Sequence, residues 1–281
     1  MNPLQFPEHL QLIENIHFSN HGVLLDLLEP REISSAPRPA IIHIHGGAWE
    51  MFGKWPVSNV FLAEAGFLTI SIDYRLAPAF RFPAQIQDCK TAVRWLRAHA
   101  EQLYIDPDRI GVWGISAGAH LAALLGTTAD RPELEGSNAG WKGHSSRVQA
   151  VVNVSGVTDF FDPGYPINTL KLFGGPVKEH PDLAHLASPV RHVTADSAAF
   201  LHLHGERDQH VFPSQAMRMH QALLEAGAQS QLEWLSGDHF INETHQNTLE
   251  AHILKFFQQQ LMPASSLTPF VHKNFLAMDK H

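Results

Sequence analysis

A serine with a glycine two positions away on each side stands out, since residues 114–118 read Gly-Ile-Ser-Ala-Gly. The stretch follows the apolar run 109–113 and precedes residues 117–125, which are apolar on nearly all sides. This strand–turn–helix context is the one that a nucleophile elbow requires. The serine must sit on a strained turn with almost no side chains around it, and the following helix N-terminus favours a developing oxyanion. The pattern predicts Ser116 as a nucleophile.

A serine hydroxyl attacks efficiently only when a base takes its proton, and His239 is the candidate base. It lies just after the apolar run 232–235. Asp208 lies just after the run 200–204, between nucleophile and base in the chain. Nucleophile, acid and base follow one another in this order in the fold that carries a nucleophile elbow. Its carboxylate would orient the imidazole and stabilise the imidazolium that forms during attack.

Other carboxylates compete for the role of the acid. Asp159 follows the preceding predicted strand and is the main alternative, with Glu206 a lesser one. Asp238 is too close in sequence to the histidine to orient it. The chain holds 20 histidines, so most of them must have other roles.

Glycines at the end of another predicted strand supply candidate oxyanion donors, because residues 45–49 read His-Gly-Gly-Ala-Trp. The fold needs backbone N–H groups from this loop and from the residue after the nucleophile. We assign the oxyanion hole to Gly46 or Gly47 together with Ala117. The Ala48 N–H is the alternative within the loop.

Aromatic residues near these motifs are candidates for substrate contact, Trp49 and Phe160 first, with Trp55 and Phe161 beside them. Two histidine pairs also share strand faces, at positions 43/45 and 202/204. No cysteine or carboxylate completes a ligand set with recognisable spacing, so no metal is predicted. Phosphate-loop and dinucleotide fingerprints are absent from the sequence, and no cofactor is predicted.

The elements that would carry these residues alternate along the chain. Short apolar runs at 40–45, 67–72, 109–113, 148–154 and 200–204 each end in turn residues, as strands buried on both faces do. Helical patterns separate them, beginning at Pro83 and spanning 117–125, 213–226 and 249–257. This alternation predicts an α/β fold with a mostly parallel sheet, whose ligands bind beyond the carboxyl ends of the strands.

The length of 281 residues suits one domain with a core at about 15–261. The irregular stretches 128–147 and 159–197 are interpreted as lid or pocket insertions. Residues 263–281 form a C-terminal tail with no assigned role, and a homodimer is left open.

Charge and composition exclude several classes of partner. The formal net charge is −8, which disfavours nucleic acid and anionic membrane surfaces. No run approaches the roughly 20 apolar residues that cross a bilayer. A single cysteine excludes an intramolecular disulfide framework. Because the N-terminus lacks a secretory pattern, we expect a cytoplasmic protein.

Together with the nucleophile motif, several stretches carry a family resemblance. They are residues 45–49, 73–78, 82–88, 106–111, 116–122 and 204–208. On these the chain resembles the bacterial α/β-hydrolase esterases related to feruloyl and acetyl-xylan esterases. It is similar, more distantly, to hormone-sensitive-lipase-like esterases and kynurenine formamidases.

The resemblance implies an α/β-hydrolase fold with about eight strands, the same triad, small carboxylic-ester substrates and no cofactor. Acetyl, short-chain or feruloyl esters on carbohydrate are the expected substrates. Ala48 stands where the lipase-like branch usually has a third glycine, which points towards the feruloyl-esterase branch. Two further positions depart from the usual pattern: Ile115 replaces an acidic or polar residue before the serine, and Ala119 replaces a second glycine after it. The alternatives are an aryl formamidase using the same triad and a ligand-binding relative without catalysis.

Overall fold

An eight-stranded sheet forms the centre of the protein in the computed structural model, which describes residues 6–32, 34–129, 131–136, 140–162 and 169–262. Its order is β1-β2-β4-β3-β5-β6-β7-β8. The pairs β1–β2 and β2–β4 are antiparallel, and all the other pairs are parallel, which confirms the predicted sheet. The strands are β1 Leu10–His17, β2 Leu24–Pro30, β3 Arg38–Ile44, β4 Leu68–Ile72, β5 Ile105–Ile115, β6 Ala150–Val154, β7 Ala199–Gly205 and β8 Ser230–Leu235.

The central strands are buried on both faces because helices cover the sheet on both sides. All five residues of β4 and all five of β6 are buried. The two edge strands differ, since most residues of β1 and β8 are partly or fully exposed. Continuous apolar runs therefore mark the middle of the sheet and mixed sequences mark its edges.

Helices form the two outer layers of the fold. Apolar residues of α2, α3 and α6 share one core with one face of the sheet, and α1 and α8 contribute to a second core on the opposite face. No helix in the described part of the chain is long and apolar enough to cross a membrane. The helices are α1 Val60–Glu64, α2 Ala84–Ala98, α3 Ala117–Thr127, α4 Leu170–Phe173, α5 Pro181–Ala187, α6 Ser214–Glu225, α7 Ile241–Thr244 and α8 Gln246–Leu261.

Short turns of 3-10 helix, at Pro132–Leu134, Val177–Glu179 and Pro189–His192, lie within the two stretches expected to be insertions. Residues of 128–147 pack against α2, where Glu135 accepts hydrogen bonds from Lys90 (2.8 Å) and from Arg94. The stretch 159–197 carries α4 and α5. Residues 263–281, predicted to be a tail, lie outside the described residues.

Candidate active site

Ser116 occupies a sharp turn between β5 and α3. Its φ of 55° and ψ of −117° lie in a region that is strained for a residue with a side chain. Neighbouring glycines make the turn possible. A Cβ on Gly114 would lie 2.5 Å from the carbonyl carbon of Gly118, and one on Gly118 would lie 2.1 Å from Ile44 O. The turn therefore presents the hydroxyl beyond the carboxyl end of the sheet, at the start of α3.

Two further side chains meet this hydroxyl in a line of hydrogen bonds. His239 Nε2 lies 3.0 Å from Ser116 Oγ, and His239 Nδ1 lies 2.7 Å from Asp208 Oδ2. Asp208 follows β7, and His239 lies between β8 and α7. The three residues predicted as nucleophile, base and acid thus follow three different strands, β5, β8 and β7, and meet at the carboxyl end of the sheet.

The Asp208 carboxylate is buried and fully engaged. Its Oδ1 accepts the backbone N–H groups of His210 and Val211, each at 2.9 Å. Burial alone would raise the pKa of Asp208, but hydrogen bonds from His204, His239 and Val211, together with the charge of His239, outweigh it and hold the pKa well below its usual range. The carboxylate is therefore ionised at neutral pH and can hold the His239 Nδ1–H.

The competing carboxylates are occupied elsewhere. Asp159 Oδ1 accepts the Phe161 N–H at 3.0 Å and lies 3.5 Å from Arg191 Nη2. Asp238 Oδ1 accepts the Phe240 N–H at 2.9 Å. Glu206 is exposed. Among these candidates, Asp208 is the one whose carboxylate meets the imidazole.

The loop after β3 has an unusual backbone beside the serine. Gly47, Ala48 and Trp49 have successive φ values of 96°, 51° and 64°. Left-handed conformations cost energy for residues with a Cβ, so the surrounding structure must hold this loop in place. Outside the helices and strands, no backbone hydrogen bond from the N–H of Gly47, Ala48 or Ala117 is found among the described residues. These amides are available to an oxyanion.

One peptide of this loop is fixed by its carbonyl. Gly46 O accepts hydrogen bonds from the Tyr74 hydroxyl (3.1 Å) and from His45 Nδ1 (2.8 Å). In a trans peptide the C=O and the next N–H point in opposite directions, so the Gly47 N–H faces away from these donors. This geometry favours Gly47 over Gly46 as the loop donor. Burial raises the pKa of Tyr74 well above its ordinary value, so the phenol remains protonated and able to donate.

A cavity of about 830 Å³ lies over the serine, which is within the usual size range for a small-molecule site. Its walls include Ser116, Ala117 and His239 together with the 46–48 loop. One part of the rim is apolar and exposed, and another part is polar. The apolar rim residues are Met51, Phe52, Trp55 and Phe240, and the polar ones are Glu50, His210, Asn242 and Glu243.

The two aromatic residues predicted to contact substrate differ in position. Trp49 lines the cavity, whereas Phe160 is not among the lining residues and packs behind Trp49 with a ring-centroid distance of 5.9 Å. Trp55 lines the cavity, and Phe161 instead packs against Arg191, whose guanidinium lies 4.4 Å from the ring centre. Lining residues come from 43–58, 115–117, 157, 210–211 and 239–243, and no described residue of 128–147 or 159–197 is among them.

Sequence reasoning missed several residues of this site. The His210 ring lies 5.3 Å from the His239 ring and lines the same cavity. Phe240, Asn242 and Glu243 also line it. Proximity in sequence to Asp208 and His239 was the available signal for all four.

The paired strand histidines are buried side chains. Burial lowers the pKa of His43 and of His202 to about 3, so both rings are neutral. The His45 ring stacks on Tyr74 with centroids 4.2 Å apart. In the described ranges, no group of three or more histidine, cysteine or acidic side chains is placed to hold a metal ion.

The sequence matches a known family and is similar to a known esterase. A model of the BD-FAE family matches residues 25–223. Esterase LipC of Mycobacterium tuberculosis is 34% identical over 223 residues, which are 75% of this chain and 54% of LipC. The chain thus spans about half the length of this relative.

Solved structures of esterases superpose on most of this chain. A truncated carbohydrate esterase from gut microbiota superposes with a TM-score of 0.78 at 29% identity, covering 90% of this chain and 97% of that one. An acetyl ester-xyloside bifunctional hydrolase from Caldicellulosiruptor lactoaceticus superposes with a TM-score of 0.73 at 26% identity, covering 84% and 88%. The prediction of an α/β-hydrolase fold is confirmed.

Proposed function

Since this chain belongs to the BD-FAE family, we propose that it is a serine carboxylesterase acting on small acyl esters. The observation that carries the proposal is the line of hydrogen bonds from Asp208 through His239 to Ser116, opening into a cavity with free backbone N–H groups. LipC, a relative over three quarters of the chain, is itself described as an esterase, which supports the same reaction class.

In the first half of the reaction, Ser116 Oγ attacks the ester carbonyl carbon while His239 Nε2 takes its proton. Asp208 holds the Nδ1–H and stabilises the imidazolium. The carbonyl oxygen becomes an oxyanion, which accepts hydrogen bonds from the N–H groups of Ala117 and the 46–48 loop. When the tetrahedral intermediate collapses, the carbon–oxygen bond to the alcohol breaks, and His239 donates its proton to the leaving oxygen.

In the second half, water replaces the alcohol. His239 takes a proton from this water, whose oxygen attacks the acyl carbon attached to Ser116. The second tetrahedral intermediate uses the same backbone donors. Its collapse releases the carboxylic acid and returns the proton to Ser116 Oγ, so the protein ends unchanged.

For the substrate, we propose short acyl esters of hydroxylated compounds such as carbohydrates. Two structural relatives are a carbohydrate esterase and an acetyl ester-xyloside hydrolase, which supports this class. The cavity offers polar groups close to His239, where the leaving alcohol must receive its proton, including Asn242 and Glu243. Carboxylate and amide groups suit the hydroxyls of such an alcohol.

Replacing the nucleophile tests the reaction class. We expect Ser116→Ala to lower kcat for p-nitrophenyl acetate by about 10⁴- to 10⁶-fold, and to prevent labelling by a fluorophosphonate probe. Ser197→Ala, which removes a hydroxyl outside the cavity, serves as the control and should keep both activities. Ester hydrolysis that persists in Ser116→Ala at the control rate would refute the proposal.

A substrate panel tests the substrate class separately. Acetylated xylo-oligosaccharides, p-nitrophenyl acetate and butyrate, a feruloyl ester and N-formylkynurenine would be compared by kcat/KM. The proposal expects the acetylated sugars to exceed the formamide. A preference for the formamide would instead support the aryl formamidase alternative.

A further inference from the structure

A buried hydrogen-bond chain joins the oxyanion loop to the helix that carries the nucleophile. The Trp49 Nε1–H donates to His120 Nδ1 at 3.0 Å, and His120 Nε2 lies 2.7 Å from Ala187 O. Trp49 is 4% exposed, and His120 is fully buried. The indole can only donate and the carbonyl can only accept, so His120 carries its proton on Nε2. Burial lowers the pKa of His120 to about 4, which keeps the ring neutral.

His120 is connected to both sides of the proposed oxyanion hole. Its backbone N–H donates to Ser116 O at 3.0 Å in the first turn of α3, where the Ala117 N–H also lies. Its side chain holds Trp49, which directly follows the left-handed residues Gly47 and Ala48. One residue thus spans the gap between the helix amide and the loop amides.

Trp49 is also held by ring packing and by its own backbone. Its ring meets His120 edge-on with centroids 5.3 Å apart, and Phe160 packs against both rings. The Trp49 carbonyl accepts the Ala77 N–H at 2.9 Å. Strained backbone persists where surrounding contacts over-determine it, and these contacts converge on the residue next to the loop donors.

We propose that Trp49 and His120 are a positioning pair that sets the distance between the loop N–H groups and the Ala117 N–H. Ala187 O, in the 159–197 stretch, fixes the tautomer that makes the pair possible. This inference rests on the proposed ester hydrolysis and adds two residues that act through the oxyanion hole. It also gives Phe160 a role in supporting Trp49.

A positioning role predicts effects on the transition state, whereas a packing role predicts effects on stability. Oxyanion donors act most strongly on the tetrahedral state, so misplacing them lowers kcat more than it raises KM. The diagnostic measurements are kcat and KM for p-nitrophenyl acetate, the affinity for a trifluoromethyl ketone that forms a tetrahedral adduct, and the melting temperature of each variant.

Trp49→Phe keeps an aromatic ring and removes the donor. We expect it to lower kcat and the affinity for the ketone in parallel, by about 10- to 100-fold, with KM changed by less than about threefold. The matched control is Trp141→Phe, which removes an indole bond to Phe18 O (2.8 Å) away from the cavity. The control should keep the kcat of the unmodified protein.

Variants of His120 test the direction of the hydrogen bonds. This test can be carried out even if the Trp49→Phe variant does not fold. His120→Asn retains an acceptor near the Nδ1 position, whereas His120→Gln places its amide near the Nε2 position. We expect the asparagine variant to keep several-fold more kcat than the glutamine variant, even if both are less stable. In the double variant Trp49→Phe/His120→Gln, the loss in kcat should fall short of the product of the single losses, because both break one interaction.

Any of three results would overturn the proposal. They are a Trp49→Phe protein with unchanged kcat and only a lower melting temperature, independent multiplying effects in the double variant, and equal kcat for the asparagine and glutamine variants. Failure of the proposed function looks different, since the unmodified protein would then neither hydrolyse the ester nor react with a fluorophosphonate.

Discussion

Tyr74 shows how one buried hydroxyl can control a backbone donor. Its Oη lies 3.1 Å from both His45 O and Gly46 O, and its ring stacks on His45. The phenol and the imidazole together hold the Gly46 carbonyl, and that carbonyl fixes the opposite direction of the Gly47 N–H. Removing one of these two donors should loosen the peptide between Gly46 and Gly47 but leave its carbonyl with the other donor.

We therefore expect Tyr74→Phe to lower kcat for p-nitrophenyl acetate by about tenfold, less than the loss of an oxyanion donor, because His45 still holds the carbonyl. The value of KM should change little. The measurement is steady-state kinetics at pH 7 to 8.

Tyr104→Phe provides the matched control, since this tyrosine is exposed and lies outside the cavity. It should retain the original kcat. If Tyr74→Phe also retained it, the carbonyl would not depend on the phenol, and the orientation of the Gly47 N–H would need another cause.

At this scale the sequence was informative where chemistry restricts residue type. A strained elbow requires glycines at 114 and 118, so the motif predicted Ser116 together with its surroundings. Tyr74 and His120 lie in two of the stretches that carry the family resemblance, 73–78 and 116–122. Their proposed roles depend on hydrogen bonds to residues far along the chain: Tyr74 to Gly46, 28 positions away, and His120 to Trp49, 71 positions away. No local pattern in a single sequence specifies such contacts.

Among the elements, the end of β7 and the loop that carries His239 approach each other very closely. A Cβ on Gly205 would lie 2.1 Å from Asp238 O and 3.0 Å from Gly237 O. Both partners are backbone atoms, which cannot rotate away as a side chain can. The closeness brings His239 within reach of Asp208, three positions after Gly205.

Gly205→Ala should therefore displace the loop, lengthen the His239–Asp208 hydrogen bond and lower kcat by about 100-fold, in line with the effect of a 1 Å misplacement. Stability should fall as well. Steady-state kinetics and thermal denaturation would measure the two effects.

Gly227→Ala separates the two effects. At Gly227 φ is +83° and an added Cβ meets nothing within 4 Å, so the substitution costs about 1 to 2 kcal/mol in backbone strain away from the site. It should lower the melting temperature while kcat stays the same. A Gly205→Ala protein that behaved like this control would show that the loop can relax.

The strands themselves were predictable in proportion to their burial. Runs at 40–45, 67–72 and 200–204 correspond to β3, β4 and β7 within one or two residues. The edge strand β1 was not predicted, because most of its residues are partly or fully exposed and its pairing with β2 shifts register between Ile13 and Ile16. Asn15, with a φ of 59°, lies in that irregularity and breaks the alternation that marks a strand.

For the molecule as a whole, the sequence could not reveal the shape of the cavity. Its walls combine residues of 43–58, 115–117, 210–211 and 239–243, which are distant in the chain and are brought together by the order of the strands. Fold and reaction class depend on motifs that recur, whereas substrate preference depends on how these segments meet. A homodimer and the cytoplasmic location stay predictions.

Buried histidines in the core make the stability of the protein depend on pH. Burial lowers the pKa of His43 and His202 to about 3 and that of His120 to about 4, whereas an unfolded histidine titrates near 6.5. Near pH 5 the unfolded chain therefore binds about three protons that these residues do not bind in the folded protein. Stability from these groups is present above about pH 6.5 and is lost as the pH falls towards 4. Asp208 affects stability in more acidic solution. Because its pKa is lowered in the folded protein, its contribution to stability is lost as the pH falls through the ordinary carboxyl range and below it.

We expect the free energy of unfolding to fall with acidification near pH 5 by about 4 kcal/mol per pH unit from these three histidines, at about 1.4 kcal/mol for each proton. Urea unfolding at half-unit steps from pH 7 to 4.5 measures the slope. His202→Leu should reduce this slope by about 1.4 kcal/mol per pH unit, because His202 is fully buried with neither ring nitrogen hydrogen-bonded among the described residues. The control His17→Gln alters an exposed side chain at the end of β1 and should leave the slope as it is. Equal slopes in the unmodified protein and His202→Leu would mean that this ring takes up its proton without unfolding, and that the core tolerates the charge.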